Sequence, residues 1–171
     1  MSLGHSDFEM AVGDVNSQEK GSGARANGGK PRMDLIPLRI TVEALRTSLN
    51  PYEIKVLEYV AQFEEGDDAA IWRALRFIGE IDGGVDIKEA AHVLEYGANK
   101  YAAWNWLCGM PWSVPLGCIG RHVLAIADDE ERDEESGRGH WGHVVCNIIM
   151  LAMFTRVYTD GDDRPPKELF E

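Results

Sequence analysis

Two histidines and an asparagine, His140, His143 and Asn147, stand at spacings of three and four residues directly after an acidic turn, Asp133-Glu134-Glu135-Ser136-Gly137. At about 100° per residue these three fall on one narrow stripe of a helix. The other face, Val144, Val145, Ile148, Ile149 and Ala152, is apolar and belongs in a core. Two imidazoles one helical turn apart can converge on one ion, but they make a metal site only if a hard oxygen ligand joins them. Asp133 and Glu89 are the carboxylates that could do so, giving Glu89, Asp133 and His143 as candidate ligands. His140, His122 and Glu135 are then the candidate acids and bases.

A second stripe, Glu89, His92, Tyr96, Asn99 and Lys100, follows the i, i+3, i+4, i+7 rule. Glu89 has a plainer use as the partner of Asp86 in a capping box. Tyr101, Trp104, Asn105 and Trp106 come next; aromatics around an amide suit stacking on a nucleobase and reading its edge. Trp104 reads equally well as a plug at the end of a bundle. Lys30, Arg32, Lys100 and Arg121 are the cations placed to hold phosphates, Arg121 through its planar fork. The candidate substrate residues are therefore Lys30, Arg32, Lys100, Tyr101, Asn105, Trp106, Arg121 and Asn147.

Helices must position these groups. No segment alternates with period two for long, and the expected fold is all-α, a compact helical bundle. Residues 1–29, rich in Gly, Ser and Asn, read as a disordered N-terminal arm; 30–158 form the helical domain, and 159–171 a polar, fraying tail. A short helix is expected from a Thr41 cap to Ser48, and further helices from Asn50-Pro51, from Asp68, from Asp86, over 116–128 and over 140–158. The polar stripes of the helices at 86–102, 116–128 and 140–158 should surround one pocket.

A net charge of −12 over 171 residues argues against duplex nucleic acid or an anionic membrane as partner. A small nucleotide, its charge met by a metal and a few cations, remains compatible. Three cysteines without CxxC spacing indicate reduced thiols and a cytoplasmic setting. The apolar helix after His143 is shorter than the roughly 20 residues a bilayer span needs.

The order Gly29-Lys30-Pro31-Arg32-Met33-Asp34-Leu35-Ile36-Pro37, Gly97-Ala98-Asn99-Lys100-Tyr101 with Asn105-Trp106, Arg121-His122, Asp133-x-Glu135-Ser136-Gly137, then His140, His143 and Asn147 resembles the phage dATP/dGTP diphosphohydrolase (N-terminal) domain family. The resemblance runs over about residues 28–155. It implies metal-dependent hydrolysis of purine deoxynucleoside triphosphates to the monophosphate and pyrophosphate, in phage nucleotide metabolism in the host cytoplasm, by a homo-oligomer. The family is distantly similar to the all-α NTP pyrophosphohydrolases, which hold Mg²⁺ through ExxE and ExxD carboxylates. Here Glu89 is followed three residues later by His92, and His140-xx-His143 stands in place of ExxD. The expected cofactor is a divalent metal, Mg²⁺ or Mn²⁺, with Co²⁺, Fe²⁺ or Zn²⁺ favoured by imidazole ligands. Leu38 to Gly84 is longer than the family implies and reads as an additional helical layer for oligomer contact or as a lid. The competing readings are a non-catalytic nucleotide sensor and a histidine-aspartate hydrolase; the latter's adjacent His-Asp pair is absent.

Overall fold

The computed structural model describes residues 11–171. Six helices carry the fold, as the all-α reading expects: α1 Leu38–Ala44, α2 Pro51–Glu64, α3 Asp68–Asp82, α4 Val85–Lys100, α5 Ser113–Ala127 and α6 His140–Val157. One two-residue hairpin, β1 Ala11–Val12 with β2 Arg25–Ala26, pairs antiparallel with Val12 opposite Arg25.

Helix α6 is the axis. Twelve of its 18 residues are buried, because α3, α4 and α5 all pack on it. A helix enclosed on all sides needs no single apolar stripe, so its polar residues are buried with the rest. Around it, Phe63 stacks on Trp112 with centroids 5.6 Å apart, and Leu57, Ile71, Ile78, Ile119, Ile148 and Leu151 complete the core.

Local chemistry sets several boundaries. Asn50 caps α2 in a reciprocal box: its side chain accepts from Glu53 N–H at 2.8 Å, and the Glu53 carboxylate accepts from Asn50 N–H at 2.9 Å. Pro51 occupies the first helical position, where no N–H is needed. Two boundaries differ from expectation. Thr41 does not cap α1; it is buried inside it, and the helix starts at Leu38, whose N–H donates to the buried Glu64 carboxylate at 2.6 Å. Asp86 does not cap α4 either, since that helix begins at Val85 behind a left-handed Gly84. The Asp86 carboxylate instead accepts from Tyr52 Oη at 2.6 Å and Trp141 Nε1 at 2.7 Å, tying α2, α4 and α6 together.

Of the segment read as an arm, residues 1–10 lie outside the described residues, while 14–29 are stapled to the bundle. Gly21 and Gly23 N–H donate to the Cys108 and Gly109 carbonyls at 2.9 and 2.8 Å. Ala24 N–H donates to Asn105 Oδ1 at 2.7 Å, and Ala26 N–H to Tyr101 Oη at 2.9 Å. Gly23 is required for this approach, because a methyl there would stand 2.7 Å from the Gly109 carbonyl oxygen. The tail is likewise docked and does not fray. Asp163 accepts from Ser113 N–H at 2.8 Å at the start of α5, and Arg164 donates to the Phe63 carbonyl at 2.6 Å and to Asp68 at 2.8 Å.

Glu64 gives the fold a pH signature. Burial, reinforced by the Glu65 and Asp34 carboxylates and opposed by Leu38 N–H and Arg39, pushes its pKa from 4.5 up to about 7. A raised native pKa favours the fold when the acid is protonated; that contribution is complete below pH 4.5 and is lost as pH rises through about 7. The shift corresponds to about 3 kcal/mol. Urea unfolding of Glu64→Gln against wild type from pH 4 to 8 is expected to remove this slope; an unchanged slope would show that Glu64 does not titrate in that window.

Candidate active site

A cavity of about 530 Å³ opens between α4, α5, α6 and the segment from Ala24 to Lys30. Its walls come from the three helices whose stripes the sequence pointed inward.

The acidic turn shapes one side. Asp133 N–H donates to the Arg138 carbonyl and Gly137 N–H to the Asp133 carbonyl, both at 2.8 Å. Gly137 takes the left-handed conformation, φ +69°, that closes the turn. Ser136 is its hub. Its N–H and hydroxyl each reach Asp133 Oδ2 at 2.8 Å, and the hydroxyl also lies 2.7 Å from His143 Nε2. Burial works against the Asp133 carboxylate, but the Ser136 hydrogen bonds and the nearby His143 and His122 bring its pKa below the ordinary value.

Three histidines meet this carboxylate. His122, from α5, stacks on His143 with centroids 4.3 Å apart, and its Nδ1 lies 3.0 Å from His140 Nδ1. Burial, with help from His143, His140 and Arg25 and against Asp133, drives the His122 pKa down to about 2. Burial first, with Arg25 and His140 and against Asp133 and Glu135, holds His143 at about 4. Both rings are therefore neutral at physiological pH, the state in which imidazole can bind a metal. Ligand atoms of His122, Asp133 and His140 all lie within 4.8 Å of one another. His140 is 5% exposed, and its Nε2 is the one buried side-chain polar atom without a hydrogen-bond partner among the described residues; Glu130 Oε2 lies 3.5 Å away. Two imidazoles and a carboxylate this close together fit a divalent metal; His140 meets His122 through Nδ1, while its Nε2 is the nitrogen near Glu130.

The other residues singled out in the sequence divide. Lys30 and Lys100 line the cavity and both reach Glu135, Lys30 at 3.9 Å and Lys100 in direct contact. Arg121 lines it too. Asn147 is fully buried beneath it, donating to the His143 carbonyl at 2.7 Å. Glu89 does not line the cavity. It lies where α4 crosses α6, close enough that a methyl on Gly142 would meet its Cβ at 3.3 Å. Arg32 turns away to Asp34, Nη2 to Oδ2 2.6 Å, and His92 pairs with Glu95 at 3.5 Å on the helix surface. Tyr101 and Asn105 hold the N-terminal segment, as the bonds to Ala26 and Ala24 show. Trp106 packs on Phe154, centroids 6.5 Å apart. Trp104 is no plug: it stands on the cavity rim, 70% exposed, in a left-handed backbone with φ +65°. Sequence reasoning missed Arg25 and the role of Ser136. Nothing local marks Arg25, whereas Ser136 was legible as a hydroxyl three residues after Asp133 in a glycine turn.

An all-helical bundle with a histidine–carboxylate cluster at the base of a cation-rimmed cavity is thus the class that fold and site define. Residues 85–164, which contain α4 to α6 and the whole cluster, match the model of the family described as dATP/dGTP diphosphohydrolase, N-terminal. This bears out the resemblance over that span; the motif around Lys30 lies outside it. A protein of Salmonella phage PMBT28 named dATP/dGTP diphosphohydrolase is 30% identical over 77 residues, covering 45% of this chain and 26% of its own length. No solved structure matches.

If Asn105 is a structural clasp, Asn105→Ala leaves Ala24 N–H without its acceptor and costs about 1 to 3 kcal/mol. Hydrogen exchange at Gly23 to Ala26 should then accelerate. Unchanged protection there would return Asn105 to the list of substrate contacts.

Proposed function

We propose that this chain hydrolyses purine deoxynucleoside triphosphates, dATP or dGTP, to the monophosphate and pyrophosphate with the help of a divalent metal. The observation that carries the reading is the convergence of His122, Asp133 and His140, with His140 Nε2 buried and unpartnered. The names of the matching family and of the phage relative supply the substrate class.

His122, Asp133 and His140 would hold the metal, so His122 and His140 act as ligands here and not as bases. Two imidazoles and one carboxylate favour Mn²⁺, Co²⁺, Fe²⁺ or Zn²⁺ over Mg²⁺. When bound, the metal supplies neutralisation of phosphoryl charge and a lowered pKa for water. Lys30, Lys100 and Arg121 hold the triphosphate by charge-assisted hydrogen bonds. Water adds at the α-phosphorus and pyrophosphate leaves, or it adds at the β-phosphorus and the monophosphate leaves; in both cases the α–β phosphoanhydride bond breaks. The water proton passes to a carboxylate, Glu135 in this reading. Ser136 keeps His143 and Asp133 in place. Trp104 offers an exposed face for the purine.

The reading includes action in the host cytoplasm as a homo-oligomer. No helix among the described residues is long and apolar enough to cross a membrane. Exposed Ile81, Val85 and Ile87 at the α3–α4 corner provide apolar surface for self-association.

Pyrophosphate release from the four dNTPs with Mg²⁺, Mn²⁺ and Co²⁺ is the test. Turnover of dATP or dGTP is expected only with metal, and Asp133→Asn or His140→Ala should lower it by at least about a hundredfold, the order of losing several kcal/mol of transition-state stabilisation. Mn²⁺ should raise the melting temperature of the wild type and not of His140→Ala. Nucleotide binding without release under every metal would replace the hydrolase by a nucleotide sensor.

A further inference from the structure

Arg25 enters the cavity from β2 and reaches the floor. Its Nη2 donates to Asn147 Oδ1 at 2.5 Å, and Nη1 lies 3.9 Å from Met150 Sδ. Arg121 approaches from α5. Its Nη2 reaches Asn27 Oδ1 at 2.7 Å and Cys118 Sγ at 2.9 Å, and its Nη1 the Pro31 carbonyl at 3.1 Å. Cys118 is a neighbour of the Arg25 head group as well. Two guanidinium groups therefore converge on one thiol.

Every protein partner just named is neutral, and no carboxylate among the described residues forms an ion pair with Arg25 or Arg121. Arg164 shows how this chain treats an enclosed guanidinium elsewhere: its side chain is 8% exposed and is met by Asp68 at 2.8 Å and Asp162 at 2.7 Å. An enclosed charge without a counter-charge is costly, and two adjacent ones repel. In a chain of net charge −12, carboxylates are plentiful, and Asp133 and Glu135 line the same cavity, yet neither guanidinium is paired with one. The missing partner is an anion that comes from outside. Arginine's planar donor fork suits the oxygens of a phosphoryl group.

We propose that Arg25 and Arg121 form a binding site for a phosphoryl oxyanion, half of it carried by the N-terminal segment 23–31. The site extends the hydrolase reading and rests on it only for the source of the phosphoryl group, a nucleotide rather than free phosphate. Arg25 lies outside the span shared with the matching family, so this half of the site is particular to the segment that precedes α4. Stapling 14–29 to Cys108, Gly109 and Asn105 is what holds the guanidinium in place. The segment is thereby a working wall of the cavity.

Calorimetric titration of the full chain, with metal removed to prevent turnover, tests this with three probes: dGTP, pyrophosphate and deoxyguanosine. Wild type is expected to bind dGTP and pyrophosphate. Arg25→Gln should weaken both about ten- to a hundredfold, as loss of a charged hydrogen bond implies, and leave deoxyguanosine unaffected. Arg25→Lys should recover part of the loss. Pyrophosphate should raise the melting temperature of wild type more than that of Arg25→Gln, a difference that a purely structural arginine would not produce. Equal pyrophosphate affinity in wild type and Arg25→Gln overturns the site. If Arg25→Gln does not fold, Arg121→Gln serves in its place: weakened pyrophosphate binding supports the site, and unchanged binding overturns it. The two readings fail separately. Pyrophosphate held through Arg25 with no nucleotide bound would keep the anion site and remove the nucleotide; dGTP bound equally well by both proteins would do the reverse.

Discussion

The constraint on which the structure depends is the enclosure of α6. A helix packed by α3, α4 and α5 has no wet face on which to leave polar groups, yet its first two turns carry His140, His143 and Asn147, all buried. Each must be neutral or bonded. His143 meets the Ser136 hydroxyl, which requires the acidic turn to fold back over the helix start. Asn147 bonds its own helix and takes Arg25, which requires the N-terminal segment to reach across the bundle. His140 keeps one nitrogen without a partner, and that surplus points to a ligand.

Electrostatics follow from the same enclosure. Burial lowers the affinity of His122 and His143 for protons, so the rings stay neutral lone-pair donors at the pH where the protein works. Asp133, supported by Ser136, stays ionised beside them. Outside this cluster the charged residues lining the cavity are Lys30, Lys100, Arg25 and Arg121 against Glu95 and Glu135, although the protein as a whole is strongly acidic. An excess of positive charge at this cavity of an acidic protein directs small polyanions to it while duplex nucleic acid is repelled.

Much of this was legible in the sequence, and the remainder was hidden for physical reasons. Helical periodicity placed α4, α5 and α6 and turned His140, His143 and Lys100 toward a shared pocket, since a stripe is a local property of spacing. The start of α2 at Asn50-Pro51 was readable for the same reason. Glu89 shares its helix stripe with Lys100, but it sits where α4 meets Gly142 and so does not reach the cavity; spacing reports a face and not the closeness of the neighbouring helix. Asp86 looked like a cap and proved to be a tether for Tyr52 and Trp141, partners 34 and 55 residues away. Arg25 and the tail around Arg164 were lost to composition: Gly-, Ser- and charge-rich segments read as mobile, whereas these are held by single long-range hydrogen bonds that leave no periodic trace. Trp104 and Trp106 both line the cavity, but Trp106 is packed on Phe154 while Trp104 stands exposed at the rim.

The most direct measurement of the central claim is anomalous diffraction from crystals of the full chain soaked in Mn²⁺. The expected result is one strong peak within coordination distance of His122, Asp133 and His140. A peak in the solvent-exposed run Asp128 to Glu131 alone, or none beside the three histidines, would contradict it.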